Sequence, residues 1–296
     1  MARAVWLEVA LNGAWGKRGQ RLAPVATDEL VEQALACIDA GAAIVHFHAY
    51  DPQTGRQRDA YELYAPVFER LRARTDAIVY PTIPFAGNAD QPDDMGPERR
   101  FAAVERLAQA GLLEWTVVDP GSTTLASAAD IERGGGFIYL NPQDHIAYGM
   151  ALCARHRLVP SYAIYEPGFA RYGAALQKRE PGAPGAVYRL MFSDALQFGF
   201  PPRDWALTAY RALLDEVAPG APWMAAGLGV DVLPLAAAVI AAGGHLRTGL
   251  EDVELGSDTG NVGLVQAAVR AIEASGARPA SPAEIRAAWP AGAVAR

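Results

Sequence analysis

Eight short β-rich runs, at 5–11, 43–49, 77–83, 114–119, 161–166, 187–192, 223–228 and 245–251, alternate with amphipathic stretches along the 296 residues. Strands that alternate with helices call for parallel pairing, because a helical crossover must carry the chain back before the next strand begins. One such stretch, TDELVEQALACIDAG, reads as a complete helix: Thr27 caps its start, Leu30, Ala34, Cys37 and Ile38 share a face, and Gly41 stops it. Further helical patterns fall at 63–72, 97–110, 142–156, 202–216, 233–242 and 261–274, and a short extra strand is expected in GFIYLN at 136–141. No linker or low-complexity stretch divides them, so 1–296 reads as one domain. Eight β-runs with intervening helices over about 275 residues match the count and size of a (β/α)8 TIM barrel. The competing doubly wound sheet expects a G-x-G-x-x-G turn after its first strand, and NGAWGKRG lacks that spacing.

Composition narrows the function classes. Hydrophobic residues make up 51% and charged residues 20%, enough for a sizeable core. A formal charge of −7 argues against a nucleic-acid partner, which would call for a basic face. No apolar run reaches the ~18 residues of a membrane span, and MARAVWLEVALNG carries no signal-peptide cleavage pattern, so a cytoplasmic location is expected. Cys37 and Cys153 sit in helical patterns and read as buried small hydrophobes, with no disulfide and no cysteine metal site.

In a barrel of this kind the chemistry gathers at the C-terminal ends of the strands. Polar residues there are Asn12; His46, His48 and Asp51; Thr82; Asp119 followed by Ser122; Glu166; and Arg247, Glu251 and Asp252. Side chains alternate along a strand, so His46 and His48 face the same way, into the barrel mouth. Two imidazoles there suit Zn²⁺ or a similar ion, which needs a further ligand and an open position for substrate. The alternative is a pair of hydrogen-bonded core histidines. Among the other histidines, His145 and His156 fall on a helical pattern and read as surface or packing residues. His245 opens the eighth strand, at the bottom of the barrel, and reads as structural.

Glu251 is the best third ligand. Strands two and eight are both even-numbered and supply the same interior layer, about 10 Å apart across the first strand. Arg247 lies four residues earlier and is expected to face inward, where Asp252 is its nearest counter-charge. An aspartate held ionised by an arginine can serve as an oriented general base, or the two can form a structural ion pair.

The stretches LNGA (11–14), HFHAYD (46–51), VPSYAIYEPG (159–168), AAGLG (225–229), GGHLRTGLED (243–252) and NVGLV (261–265) resemble the β-keto acid cleavage enzymes, typified by 3-keto-5-aminohexanoate cleavage enzyme. The resemblance implies a zinc-dependent TIM barrel, usually homotetrameric, that condenses a β-keto acid with acetyl-CoA and releases acetoacetate and a new acyl-CoA. It assigns His46, His48 and Glu251 to the metal and makes Asp252 with Arg247 the proton-abstracting dyad. Two imidazoles and a carboxylate also accommodate other divalent transition metals. The chain departs from the family in its substrate-binding parts. Trp15 stands where the family has an acid, and Tyr50 where an arginine is frequent. Thr82, Ile83, Pro84 and Phe85 replace a Ser-Thr-Gly-Gly anion turn, and Pro84 has no N–H to offer. Loss of the acid at Trp15 favours an uncharged or apolar substrate tail. Trp15, Tyr50 and Thr82, together with Asn12, Ser122 and Glu166, are the substrate-binding candidates. Lys17, Arg18 and Arg21 form a basic loop that either meets CoA phosphates or a substrate carboxylate, or is simply solvated.

Three functions compete. The first is the acetyl-CoA-dependent cleavage just described. The second is a metal-dependent retro-aldolase or hydrolase that does without CoA; an amidohydrolase would carry its H-x-H on strand one, with more histidines on strands five and six. The third is a barrel that binds zinc and is catalytically silent.

Overall fold

The computed structural model describes residues 2–84, 96–290 and 292–295. Eight parallel strands form the centre: β1 Leu7–Ala10, β2 Ile44–Phe47, β3 Ile78–Pro81, β4 Trp115–Val117, β5 Val159–Ile164, β6 Val187–Phe192, β7 Trp223–Gly227 and β8 His245–Thr248. Hydrogen bonding runs in the order β3-β2-β1-β8-β7-β6-β5-β4, and β3 and β4 lie side by side at the seam, where the Tyr80 and Trp115 rings sit 5.9 Å apart. The result is a nearly closed TIM barrel. Every residue of these eight strands is buried, as expected where one face packs inside the barrel and the other against helices.

The helices are α1 Thr27–Asp39, α2 Tyr61–Arg72, α3 Pro97–Gln109, α4 Gln143–His156, α5 Pro167–Arg179, α6 Asp204–Val217, α7 Ala236–Ala241 and α8 Asn261–Ala274. Helix α1 begins at Thr27, and its cap comes from the side chain of Glu29, whose Oε2 accepts from the backbone N–H of Val25 and Ala26. Gly41 ends the turn at φ +120°. The sequence pattern misses α5. Its buried face is built from Phe169, Ala170, Gly173, Ala174 and Leu176, so small residues blur the apolar periodicity. The stretch 233–242 divides into a 3-10 turn, Leu233–Leu235, and α7.

Several strand ends differ from the sequence reading, each for a local reason. The first run splits at Trp6, whose N–H donates to the imidazole Nδ1 of His245 at 3.0 Å. Ala4–Val5 pairs with Arg278–Pro279 instead of joining β1. The eighth strand stops at Thr248 because Gly249, at φ +143°, folds the chain sharply against β1; a Cβ there would lie 2.0 Å from the Ala10 carbonyl oxygen. Glu251 is therefore a turn residue. The expected extra strand exists as Phe137–Tyr139, paired antiparallel with Thr123–Leu125 in a hairpin after β4.

At the N-terminal end of the barrel His245 stacks on Trp6 with ring centroids 4.2 Å apart, which bears out its structural reading. His145 is buried in α4 beside Arg100. Among the described residues, no helix is long and apolar enough to cross a membrane.

Candidate metal centre and its cavity

Register brings the two histidines to the barrel mouth: His46 lies opposite Ala10 on β1, and His48 follows just past the end of β2. The Gly249 turn swings Glu251 over the same spot. Its Oε2 stands 3.5 Å from Nε2 of His46 and 3.5 Å from Nε2 of His48. One ligand atom from each of the three residues lies within 4.8 Å of the others. Gly13, at φ +60°, lets the first loop close on Glu251; a Cβ there would meet the Glu251 Cγ at 2.6 Å.

A second set of contacts orients these groups. Gln57 Nε2 donates to Asp59, so its Oε1 faces His48 Nδ1 at 2.9 Å. That oxygen can only accept, so His48 Nδ1 carries a proton and Nε2 is the nitrogen that faces Glu251. Burial alone would lower the pKa of this ring, but the negative charge of Glu251 raises it. Asn12 accepts from the His48 N–H and donates to the His48 carbonyl. Asn261 at the start of α8 accepts from the Leu250 N–H and donates to the Leu11 carbonyl, tying the Glu251 turn to the end of β1.

Arg247, 1% exposed on β8, is the electrostatic hub. It reaches Asp252 through Nε and Nη2, Glu251 Oε1 at 2.8 Å and Glu8 Oε1 at 3.0 Å. Burial alone would raise the Glu251 carboxyl, but Arg247 and the two histidines hold it well below its usual range. Burial drives His46 well below 6.5, keeping it neutral, as a ligand must be. Burial pushes Asp252 up to about 7, against the pull of Arg247. Asp252 is thus a better-matched base near neutrality than its ordinary carboxylate pKa implies.

Two features fit a divalent cation. His48 Nε2 and Glu251 Oε2 are buried and face each other with no hydrogen-bond partner among the described residues. Three carboxyl groups, Glu8, Glu251 and Asp252, share the single Arg247 guanidinium, more acidic groups than that one cation can pair. An imidazole pair with one carboxylate is a donor set that zinc and its neighbours accept.

The three residues form one side of a cavity of about 720 Å³. Trp15, Thr82, Val117, Asp119, Leu125, Phe137, Ile138, Tyr139, Tyr165, Arg189 and Leu228 are also on its wall. Of the substrate-binding candidates only Trp15 and Thr82 reach it; the Trp15 indole N–H donates to the Glu251 carbonyl. The other four stand elsewhere, and their contacts give the reasons. Asn12 is wholly buried, with its amide committed to Pro24 and His48. Tyr50 donates to the Gly13 carbonyl at 2.5 Å and braces the first loop. Ser122 exchanges hydrogen bonds with the Asn141 backbone at the foot of the hairpin. Glu166 sits at the N-cap position of α5 without a side-chain capping bond, and its Oε1 accepts from Thr123. Asp252 is 2% exposed and lies off the cavity wall, behind Arg247. In the basic loop, Lys17 pairs with Glu29 and Arg21 with Asp258. Phe85 lies outside the described residues.

Sequence reasoning missed Glu8, Arg189 and Gln57. A lone charge inside each of the apolar runs WLEVAL and VYRLMF was a readable signal for the first two. Gln57 arrives from a loop and announces nothing.

A sequence profile described as beta-keto acid cleavage enzyme matches residues 4–289. The chain is 27% identical to a 3-dehydrocarnitine:acetyl-CoA trimethylamine transferase of Rhizobium meliloti (strain 1021), covering 97% of this chain and 96% of that one. It is 26% identical to a 3-oxoadipate:acetyl-CoA acetyltransferase of Cupriavidus necator, over 97% and 95%, and 25% identical to a 3-keto-5-aminohexanoate cleavage enzyme of Fusobacterium nucleatum, over 89% of each. Among solved structures, apo ObcA superposes with a TM-score of 0.70 at 14% identity; the match covers 90% of this chain and 65% of that one, and shows the shared fold.

Proposed function

The chain belongs to the β-keto acid cleavage enzyme family, and on that premise we propose that it converts a β-keto acid and acetyl-CoA into acetoacetate and a new acyl-CoA. The observation that carries this reading is the convergence of His46, His48 and Glu251 on one wall of a substrate-sized cavity. These three side chains would hold zinc or another divalent transition metal. Such an ion supplies Lewis-acid polarisation of the keto oxygen, which acidifies the adjacent C–H.

The chain's own residues supply the rest. In this reading Asp252 is the base for the proton on the carbon between the keto and carboxylate groups. Because it stands behind Arg247, off the cavity wall, the proton reaches it through a bridging water or a shift of the Arg247–Asp252 pair, whose orientation three hydrogen bonds set. Arg247 also holds Glu251, so the base and the metal ligand are set by one side chain. In the overall exchange, the bond between the acyl carbon and the CH2COO⁻ unit of the substrate breaks. That unit joins the acetyl group as acetoacetate, and the substrate acyl group leaves on the CoA sulfur. Trp15, Leu125, Phe137, Ile138 and Leu228 give the cavity an apolar wall, which suits an uncharged substrate tail. By family resemblance we also expect a homotetramer, to be checked by light scattering.

The test is incubation with a panel of β-keto acids, with and without acetyl-CoA, following acetoacetate and acyl-CoA by mass spectrometry. Release of acetoacetate that requires acetyl-CoA is the expected result. Cleavage without CoA would point to an aldolase-type lyase, and no turnover across the panel to a silent metal-binding barrel.

A further inference from the structure

Arg189 is the third residue of β6, is 3% exposed, and lies on the wall of the cavity that holds the metal triad. A buried guanidinium normally spends its five donors on close acceptors. This one does not. Its Nε has no partner among the described residues, and Nη2 makes only two long contacts, 3.3 Å to the Ser161 carbonyl and 3.5 Å to Asp119 Oδ1. Asp119 is not short of donors either: Tyr139 O–H reaches its Oδ2 at 2.6 Å and the Ala163 N–H its Oδ1 at 2.7 Å. The pair therefore balances charge without using the fork of the guanidinium.

Resting on the β-keto acid reading, we propose that Arg189 binds the C1 carboxylate of the substrate. That group is common to every β-keto acid. At the end of β3 the sequence is Thr82-Ile83-Pro84, and Pro84 offers no N–H while its carbonyl is taken by Arg100 at 2.9 Å. Among the described residues of this turn Pro84 thus adds no anion donor, whereas β6 presents a planar fork whose shape matches a carboxylate. With C1 at Arg189 and the keto group at the triad, the tail is left to the apolar residues of the hairpin, Leu125, Phe137 and Ile138.

Calorimetric titration of the as-purified protein without acetyl-CoA tests this with 3-hydroxyhexanoate, a stable reduced analogue, and its neutral amide. Arg189→Gln should weaken carboxylate binding roughly tenfold or more, as expected for a charged hydrogen bond, leave amide binding unchanged, and be partly rescued by Arg189→Lys. A Gln variant with wild-type melting temperature and metal content, and undiminished preference for the carboxylate, would overturn the assignment. If that variant does not fold, equal affinity of the wild type for acid and amide overturns it as well. A gain in affinity for 3-hydroxyadipate over 3-hydroxyhexanoate that depends on Arg189 would assign the guanidinium to a distal carboxylate and refute the C1 placement. Turnover is read separately. A protein that binds the hydroxy acid through Arg189 and releases no acetoacetate loses the proposed reaction alone, and one that turns over with equal affinities in wild type and variant loses this inference alone.

Discussion

Asn12 grips His48 from both sides of its backbone, accepting from the His48 N–H and donating to the His48 carbonyl, each at 2.9 Å. A side-chain amide here does the work of a neighbouring strand just past the end of β2, where the ladder has stopped. It fixes the backbone from which the His48 ring projects toward Glu251.

Asn12→Ala should therefore lower metal affinity without removing a ligand. A loss of roughly 10–100-fold is the usual scale for outer-shell groups around a metal. Competition with a fluorescent zinc chelator measures it. Wild-type affinity in the variant would show that His48 needs no such support.

Asp252→Asn separates binding from proton transfer. The amide keeps the size of the carboxylate beside Arg247 and leaves His46, His48 and Glu251 intact. Metal content should stay at the wild-type level while kcat falls about 10²–10⁴-fold, the range for a lost general base. Elemental analysis and steady-state kinetics on a confirmed substrate check the two halves, and retained turnover would remove Asp252 from that role.

The barrel and the three metal-ligand candidates were legible because they rest on short-range regularities. Alternation in IVHF aims His46 inward, and β/α succession sets the strand order. The parts that were not legible depend on where distant backbone meets. The reading of Arg247 and Glu251 as strand neighbours had the right outcome for a different reason: the Gly249 turn, not alternation, folds Glu251 back to Arg247. Asn12 looked like a site residue because it ends β1, yet its amide is committed to the backbone of the next strand's end. Arg189 escaped attention because it sits mid-strand, and only closure of the barrel brings it to the cavity.

His245 gives the fold a defined acid limit. Burial drives its pKa down to about 3 from 6.5, and its Nδ1 accepts from the Trp6 N–H, which requires the neutral ring. Below 6.5 the unfolded chain binds a proton that the folded chain refuses, so stability is full above that pH and falls as the pH drops toward 3. Between about pH 6.5 and 5 this one group removes about 2 kcal/mol, at about 1.36 kcal/mol per unit. His245→Asn keeps an acceptor for Trp6 and cannot titrate there. Urea midpoints at pH 7 and 5 should show a smaller drop in the variant than in the wild type, and equal drops would refute the assignment.

Two glycines allow backbone conformation to be separated from contact at the metal site. Gly249 and Gly243 both have positive φ, +143° and +86°. A Cβ at Gly243 meets nothing within 4 Å, whereas at Gly249 it would lie 2.0 Å from the Ala10 oxygen and 2.7 Å from the Ala10 carbonyl carbon. Gly243→Ala should then cost only the left-handed backbone strain, about 1–2 kcal/mol. Gly249→Ala adds an overlap with main chain that cannot rotate away, a further 1–3 kcal/mol or so. The relief open to it is for the 249–252 turn to move off β1, which carries Glu251 away from both imidazoles. The Gly249 variant should accordingly lose bound metal as well as stability, while the Gly243 variant keeps its metal. Equal metal content in the two, measured beside their urea midpoints, would mean that the close approach of this turn to β1 does not set the position of Glu251.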